Sequence, residues 1–193
     1  NNTWRWGTIE TGLGVAEAVG IDNSLLSTGA GDDNIIINSH SFGNNTNSWA
    51  VRNSTISTGS GNDNVFLSAS DRAVSVGQVW DPAYGVTQSL IDLGAGDDNL
   101  NITSVGESFT FGGFGNNNFT GAYGIVDSVI YSGEGDDSIA INVSSKASGF
   151  SDFWNFQDVE IGLGVAEAVG IDRSLLSTGS GNDNIIINSH SFG

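Results

Sequence analysis

Five times along the chain one short pattern recurs, Gly-x-Gly-x-Asp-x-aliphatic, each time setting an acidic turn directly against an apolar run. Its instances are Gly29, Gly31, Asp33 and Ile35; Gly59, Gly61, Asp63 and Val65; Gly94, Gly96, Asp98 and Leu100; Gly133, Gly135, Asp137 and Ile139; Gly179, Gly181, Asp183 and Ile185. A further Asp or Asn precedes each aspartate, at Asp32, Asn62, Asp97, Asp136 and Asn182. Glycines spaced in this way accept left-handed backbone angles and leave their carbonyls exposed, so a sharp turn aims several oxygens at one point. The aliphatic residue two positions on enters a strand and faces the core, which fixes the direction of the carboxylate.

The turns belong to a larger repetition. Glu10 to Gly43 returns at Glu160 to Gly193 with four changes in 34 residues: Thr11 to Ile161, Asn23 to Arg173, Ala30 to Ser180 and Asp32 to Asn182. The offset divides the chain into one tandem unit, residues 1–150, and the start of the next, residues 151–193. The leader keeps its aromatics in step, with Trp4 over Trp154 and Trp6 over Phe156. Each turn also has the same approach, a small residue, an aliphatic one, then Ser24, Ser54, Ser89, Ser128 or Ser174. Those serines lie 30, 35, 39 and 46 residues apart. A constant turn with variable returns predicts a stacked architecture whose insertions gather on one face.

Apolar residues come in short β-branched runs bounded by Gly, Asn and Ser, with no sustained helical stripe. GVAEAVG from Gly14 favours helix locally, but it is too short to stand alone between glycines. The chain therefore reads as all-β. With 28 glycines among 193 residues and a single proline, it suits many tight turns, and the glycines lack the period of collagen. The absence of cysteine excludes a disulfide framework, a thiolate metal site and a cysteine nucleophile. A net charge of −17 opposes binding to nucleic acid or to an anionic membrane, and no apolar stretch is long enough to span a bilayer. Eight of the 22 acids lie in the turns, with Glu134 a ninth, and like charges so gathered call for a cation.

The turns resemble the RTX (hemolysin-type) calcium-binding repeats, whose nonapeptide is Gly-Gly-x-Gly-x-Asp-x-aliphatic-x. All five match from the second position onward; Thr28, Thr58, Leu93, Ser132 and Thr178 replace the first glycine. A sixth copy from Gly112 keeps the glycines but has Asn118 in place of the aspartate. In that family successive turns form a parallel β-roll and hold calcium between them, so the resemblance implies Ca²⁺ bound by the glycines and acids named above. Four ions, one between each neighbouring pair, would set eight positive charges against −17. The wide spacing predicts a right-handed parallel β-solenoid with calcium turns stacked along one edge. About four coils per unit, at ~4.8 Å each, span about 19 Å.

His40 and His190 occupy one repeat position and read as surface strand-end residues. Trp4, Trp6, Trp49, Trp80, Trp154, Tyr84 and Tyr123 read mainly as core or cap residues, with a sugar-stacking platform as the competing reading. Asn-x-Ser/Thr sequons begin at Asn1, Asn44, Asn53, Asn101, Asn118 and Asn142, near the number chance gives. Arg5, Arg52, Arg72, Arg173 and Lys146 are scattered, and no carboxylate pair stands apart from the turns as an acid and a base, so no enzyme is expected. The expected role is a secreted, calcium-stabilised structural repeat forming an extracellular filament, matrix fibre or adhesin stalk, of the kind bacteria export. Its partners would be further repeats or copies of itself end to end. The alternative is an extracellular glycan- or ice-binding adhesin module, with cell-surface glycans as partners.

Overall fold

The computed structural model describes residues 3–6, 15–75, 79–111, 118–150, 161–162 and 164–193. The glycine turn from Gly112, Trp154 and Phe156 lie outside the described residues, as do the side chains of Trp4 and Trp6. After a short strand, β1 (Thr3–Trp6), the chain runs through coils of three strands each. The first coil is β2 (Val15–Asp22), β3 (Leu25–Ala30) and β4 (Asn34–Gly43); the second is β5 (Asn45–Arg52), β6 (Thr55–Ser60) and β7 (Asn64–Ser75). The third is β8 (Val79–Thr87), β9 (Leu90–Ala95) and β10 (Asn99–Phe111); the fourth is β11 (Asn118–Val126), β12 (Val129–Tyr131) and β13 (Ser138–Phe150). A two-residue strand, β14 (Ile161–Gly162), precedes a fifth coil of β15 (Val165–Asp172), β16 (Leu175–Ser177) and β17 (Asn184–Phe192).

Equivalent strands of successive coils pair in parallel, giving three sheets. The longest joins β1, β4, β7, β10, β13 and β17, the second β2, β5, β8, β11 and β15, and the third β3, β6, β9, β12 and β16. Only β14, against the end of β13, pairs antiparallel among the described strands. The expected all-β parallel solenoid is the fold observed, and Val15 to Gly20 of the helix-favouring GVAEAVG lie in strand β2. Propensity yields there because residues of β2 alternate between the core and solvent and each finds a partner on β5.

The core consists of columns, one residue per coil. Ile35, Val65, Leu100 and Ile139 form one column, Ile37, Leu67, Ile102 and Ile141 the next, and Ile56, Ile91 and Ile130 face them from the third sheet. In four of the five approaches the small residue is glycine, and it has a steric cause. A Cβ on Gly20, Gly85, Gly124 or Gly170 would meet Cγ2 of Ile37, Ile102, Ile141 or Ile187 at 2.3–2.6 Å.

Two corners of each coil are built alike throughout. At the first, Asn23, Asn53, Gln88, Asp127 and Arg173 all hold φ of 44–49°, a strained angle for a side-chain-bearing residue. The next residue is the repeated serine. Each serine hydroxyl donates to the carbonyl two residues back, as Ser89 does to Thr87 at 2.6 Å. The same oxygen accepts the N–H of the preceding coil's serine: Ser54 from Ser24, Ser89 from Ser54, Ser128 from Ser89 and Ser174 from Ser128, at 3.0–3.1 Å. The column thus supplies partners for strand-end groups that a bend would leave unpaired. The second corner is the glycine turn.

Candidate metal centre at the glycine turns

Both glycines of every turn lie at positive φ, from 80° at Gly179 to 142° at Gly181. Stacking adds a second demand. A Cβ on Gly59, Gly94, Gly133 or Gly179 would lie 1.7–1.9 Å from the carbonyl oxygen of the equivalent glycine one coil earlier. The backbones therefore approach as closely as glycine alone permits. Gly31 donates to Ser60 O, Gly61 to Ala95 O, Gly96 to Glu134 O and Gly135 to Ser180 O, at 2.7–2.9 Å. Several turn carbonyls expected to point at a cation are thus occupied by amides of neighbouring coils.

The replaced first glycine is a core position. Thr58, Leu93 and Ser132 are fully buried at the end of the third sheet. Thr28 donates to Thr58 O at 3.1 Å, Thr58 to Leu93 O at 2.6 Å and Ser132 to Thr178 O at 3.1 Å. A glycine here would remove both the packing and these bonds.

The two acidic positions of each turn separate. The first points to solvent and accepts from the following coil: Asp32 from the Asn62 amide, Asn62 from Asp97, Asp97 from Asp136 and Asp136 from Asn182, at 2.7–2.9 Å. The second turns inward and accepts from the preceding coil: Asp63 from Asp33, Asp98 from Asp63, Asp137 from Asp98 and Asp183 from Asp137, at 2.8–3.1 Å. Consecutive amides of one turn are thus satisfied from opposite directions, which locks neighbouring coils in register.

Asp63, Asp98 and Asp137 are no more than 2% exposed, and Oδ2 of each has no hydrogen-bond partner. Burial pushes the Asp98 carboxyl up to about 7, and the charges of Asp63, Asp137 and Asp97 act in the same direction. A column of buried carboxylate oxygens without donors is a place where a hard cation would relieve both desolvation and repulsion. The donor chemistry fits calcium. The residues that would hold it are the inner aspartates, with the outer acids Asp32, Asp97 and Asp136 beside them. Among the described residues no three His, Asp or Glu side chains gather into one cluster, so the turns offer a ladder and not a cage.

A second acidic group escaped the sequence reading, which found no carboxylate pair apart from the turns. Asp71 on β7 and Asp81 on β8 face inward at the corner between the first two sheets, and both are fully buried. The Thr46 hydroxyl bonds to Asp71, Ser41 donates to Asp71 Oδ1 at 2.8 Å, and the Thr46 amide donates to Asp81 Oδ1 at 2.9 Å. Oδ2 of each acid has no partner. Burial raises Asp71 to about 6 and Asp81 to about 8, with the charge of Asp71 adding to the latter. The available signal was alternation: each acid takes an inward position in a strand, between Ala69 and Ala73 for Asp71 and between Val79 and Ala83 for Asp81.

Trp49, Trp80, Tyr84 and Tyr123 lie outside the core, on the second sheet. Trp49, Tyr84 and Tyr123 stack in register at 5.5 and 5.0 Å, Trp80 stacks on Phe119 at 4.3 Å, and Arg52 covers Trp49 at 4.7 Å. These four are therefore not core residues, and their rings stack on neighbours in adjacent coils. His190 is exposed and His40 partly so, each on a strand of the longest sheet. Of the basic residues, Arg52 pairs with Glu17 and Asp22, and Arg173 with Asp127 and Asp172. No family model, curated protein or solved structure matches this chain.

Proposed function

We propose that the chain is a segment of a secreted structural solenoid, set by calcium at its glycine turns, that serves as an extracellular filament, matrix fibre or adhesin stalk. The observation that carries the calcium reading is the column of Asp63, Asp98 and Asp137, whose second carboxylate oxygens are buried without donors. Calcium would supply positive charge there, and the buried carboxylate oxygens would be its ligands. The chain supplies direction, since each inner carboxylate is held by one amide of the coil before it. Oxygen ligands brought together only by stacked coils couple binding to folding, so such a chain stays unfolded where calcium is scarce and sets where it is abundant.

A scaffold is favoured over catalysis because the buried carboxyl pair away from the turns, Asp71 and Asp81, is sealed from any substrate. The glycan-binding alternative draws no support from the aromatics, whose faces are already stacked. Far-ultraviolet circular dichroism of chelator-treated protein tests the proposal. Loss of the β-sheet signal, or a melting temperature lower by 10 °C or more, with recovery on adding calcium but not magnesium, is expected. An unchanged spectrum and melting temperature would refute it.

A further inference from the structure

The single proline of the chain, Pro82, stands where a sheet tolerates proline least. Proline has no N–H to give a ladder, so sheets keep it at edge strands, strand starts or bulges. Pro82 lies instead within β8, the middle strand of the five-stranded second sheet. The main-chain pairing of β5 with β8 begins only after it, at Ser48 and Ala83. Before that point side chains stand in: the Thr46 amide donates to Asp81 Oδ1 at 2.9 Å, and the Trp80 amide donates to Asn45 Oδ1 at 3.2 Å.

The residue before this proline is Asp81, one of the two sealed acids, and an Asp-Pro link has an intrinsic weakness. A carboxyl oxygen of aspartate can close a five-membered ring on the carbonyl carbon of its own residue. The nitrogen of the tertiary amide that follows accepts a proton more readily than an ordinary amide nitrogen and leaves more easily.

The surroundings of the link supply what that reaction needs. Asp81 Oδ2 is buried without a hydrogen-bond partner, so no donor holds it away from the carbonyl carbon. The Thr120 hydroxyl donates to the main-chain carbonyl oxygen of Asp81 at 3.1 Å, where negative charge gathers as a tetrahedral centre forms. Thr120 is fully buried, and its own carbonyl accepts the Ser145 hydroxyl at 2.9 Å. A Cβ on Gly106 would lie 3.0 Å from Thr120 Oγ1, so glycine there leaves that hydroxyl its approach. Thr46 Oγ1 contacts Oδ1 of both acids, which sets Asp71 beside Asp81. The residues placed round the pair on β4, β5, β10 and β11 are Ser41, Thr46, Gly106 and Thr120, none of which ionises. Burial, with the charge of Asp71 adding to it, keeps Asp81 protonated until about pH 8, so the proton that the leaving nitrogen requires is present. Closed to any outside substrate, the acid has one substrate within reach, its own chain.

We infer that the folded chain cuts itself between Asp81 and Pro82. Asp81 Oδ2 attacks the main-chain carbonyl carbon of Asp81 and forms the new C–O bond of a cyclic anhydride, while the Thr120 hydroxyl stabilises the oxyanion. The carboxyl proton passes to Pro82 N, the C–N bond breaks, and Pro82 becomes a secondary amine at a new N-terminus. Water then opens the anhydride and leaves two carboxyl groups on Asp81. The sum is hydrolysis of one peptide bond, with no oxidant and no cofactor. Asp71 is a positioning group that acts through the protonation of Asp81. The part of β8 that follows the cut stays paired with β5 and β11, so the product is a nick in the third coil and not a released fragment.

Denaturing mass spectrometry of the folded full-length chain, held near pH 6 over days, tests this. It should show one fragment ending at Asp81 and one beginning at Pro82, their masses summing to that of the chain plus one water. The same chain unfolded in urea at that pH should stay whole. Pro82→Ala restores an ordinary amide, and Thr120→Val keeps the shape and deletes the donor; each should slow the cut at least tenfold with circular dichroism unchanged. The rate should fall as pH rises through about 8, and in Asp71→Asn that fall should move to lower pH, a shift that a packing defect would not produce. A folded chain that stays whole, equal cutting of folded and unfolded chains, or cutting at the wild-type rate in either variant would overturn the inference.

Discussion

Asp71 and Asp81 make the stability of this fold run against pH in a direction that can be calculated. Their carboxyls titrate at about 6 and about 8 in the folded chain against 3.8 when exposed. A raised folded value means that the contribution is fully present below 3.8 and is lost as pH rises through about 6 and then about 8. At pH 7 and roughly 1.4 kcal/mol per tenfold change, holding Asp71 folded costs about 3 kcal/mol and holding Asp81 about 4 kcal/mol relative to acid pH. Against the ~5–15 kcal/mol that separates most folded domains from their unfolded chains, this is a large fraction. Asp71→Asn/Asp81→Asn keeps the shapes and removes the titration. The charge of Asp71 adds to the rise at Asp81, so the double variant should recover less than the sum of the single ones, several kcal/mol at pH 8 and close to nothing at pH 4. Urea unfolding of both proteins at pH 4, 6 and 8, with calcium held at one saturating concentration so that the turns contribute equally to both, gives the comparison. A difference between the two proteins that stays constant over that range would refute the claim that the pair is buried in its neutral form.

Position within the stack should decide the effect of equivalent substitutions. Gly59→Ala and Gly29→Ala both place alanine near φ +100°, worth ~1–3 kcal/mol. Only Gly59 would also set a Cβ 1.9 Å from Gly29 O, so its urea midpoint should fall at least twice as far. Ser89→Ala removes the acceptor of the buried Ser54 amide and should cost ~1–3 kcal/mol. Ser24→Ala, whose exposed hydroxyl bonds only to Asp22 O, should cost less than 1 kcal/mol in the same assay, and equal losses would deny the ladder its role.

Where a property repeats once per coil, the sequence displayed it. The turn glycines, the aliphatic columns and the small residue at Gly20, Gly85 and Gly124 recur because each coil meets the same neighbour, and the aligned segments exposed them. The serines were visible as a pattern without a function, since their hydroxyls act on the coil before and alignment shows type, not direction. The threonine in place of the first RTX-type glycine was visible as a departure, and its cause lay in the strand continuing to Ala30 and Ser60. Features that occur once were not legible. Asp71 and Asp81 meet only because β7 and β8 flank a corner, and the ring stack of Trp49, Tyr84 and Tyr123 depends on three loops of different length restoring one register.

That restoration explains why the turn must carry side-chain oxygen acceptors as well as glycines. Glycine gives the angle and the closeness, but a stack held only by backbone bonds could slip by a coil or a residue without penalty. The paired acids prevent this. The outer one accepts from the coil after and the inner one from the coil before, so each turn is correct only when both neighbours are in place. The same arrangement buries one carboxylate per coil, and the repulsion rises with every coil added. A cation that neutralised the column would then favour growth more strongly the longer the stack became. Charge, register and length are thus linked through one aspartate per turn, and its replacement by asparagine should weaken calcium dependence and preserve the turn.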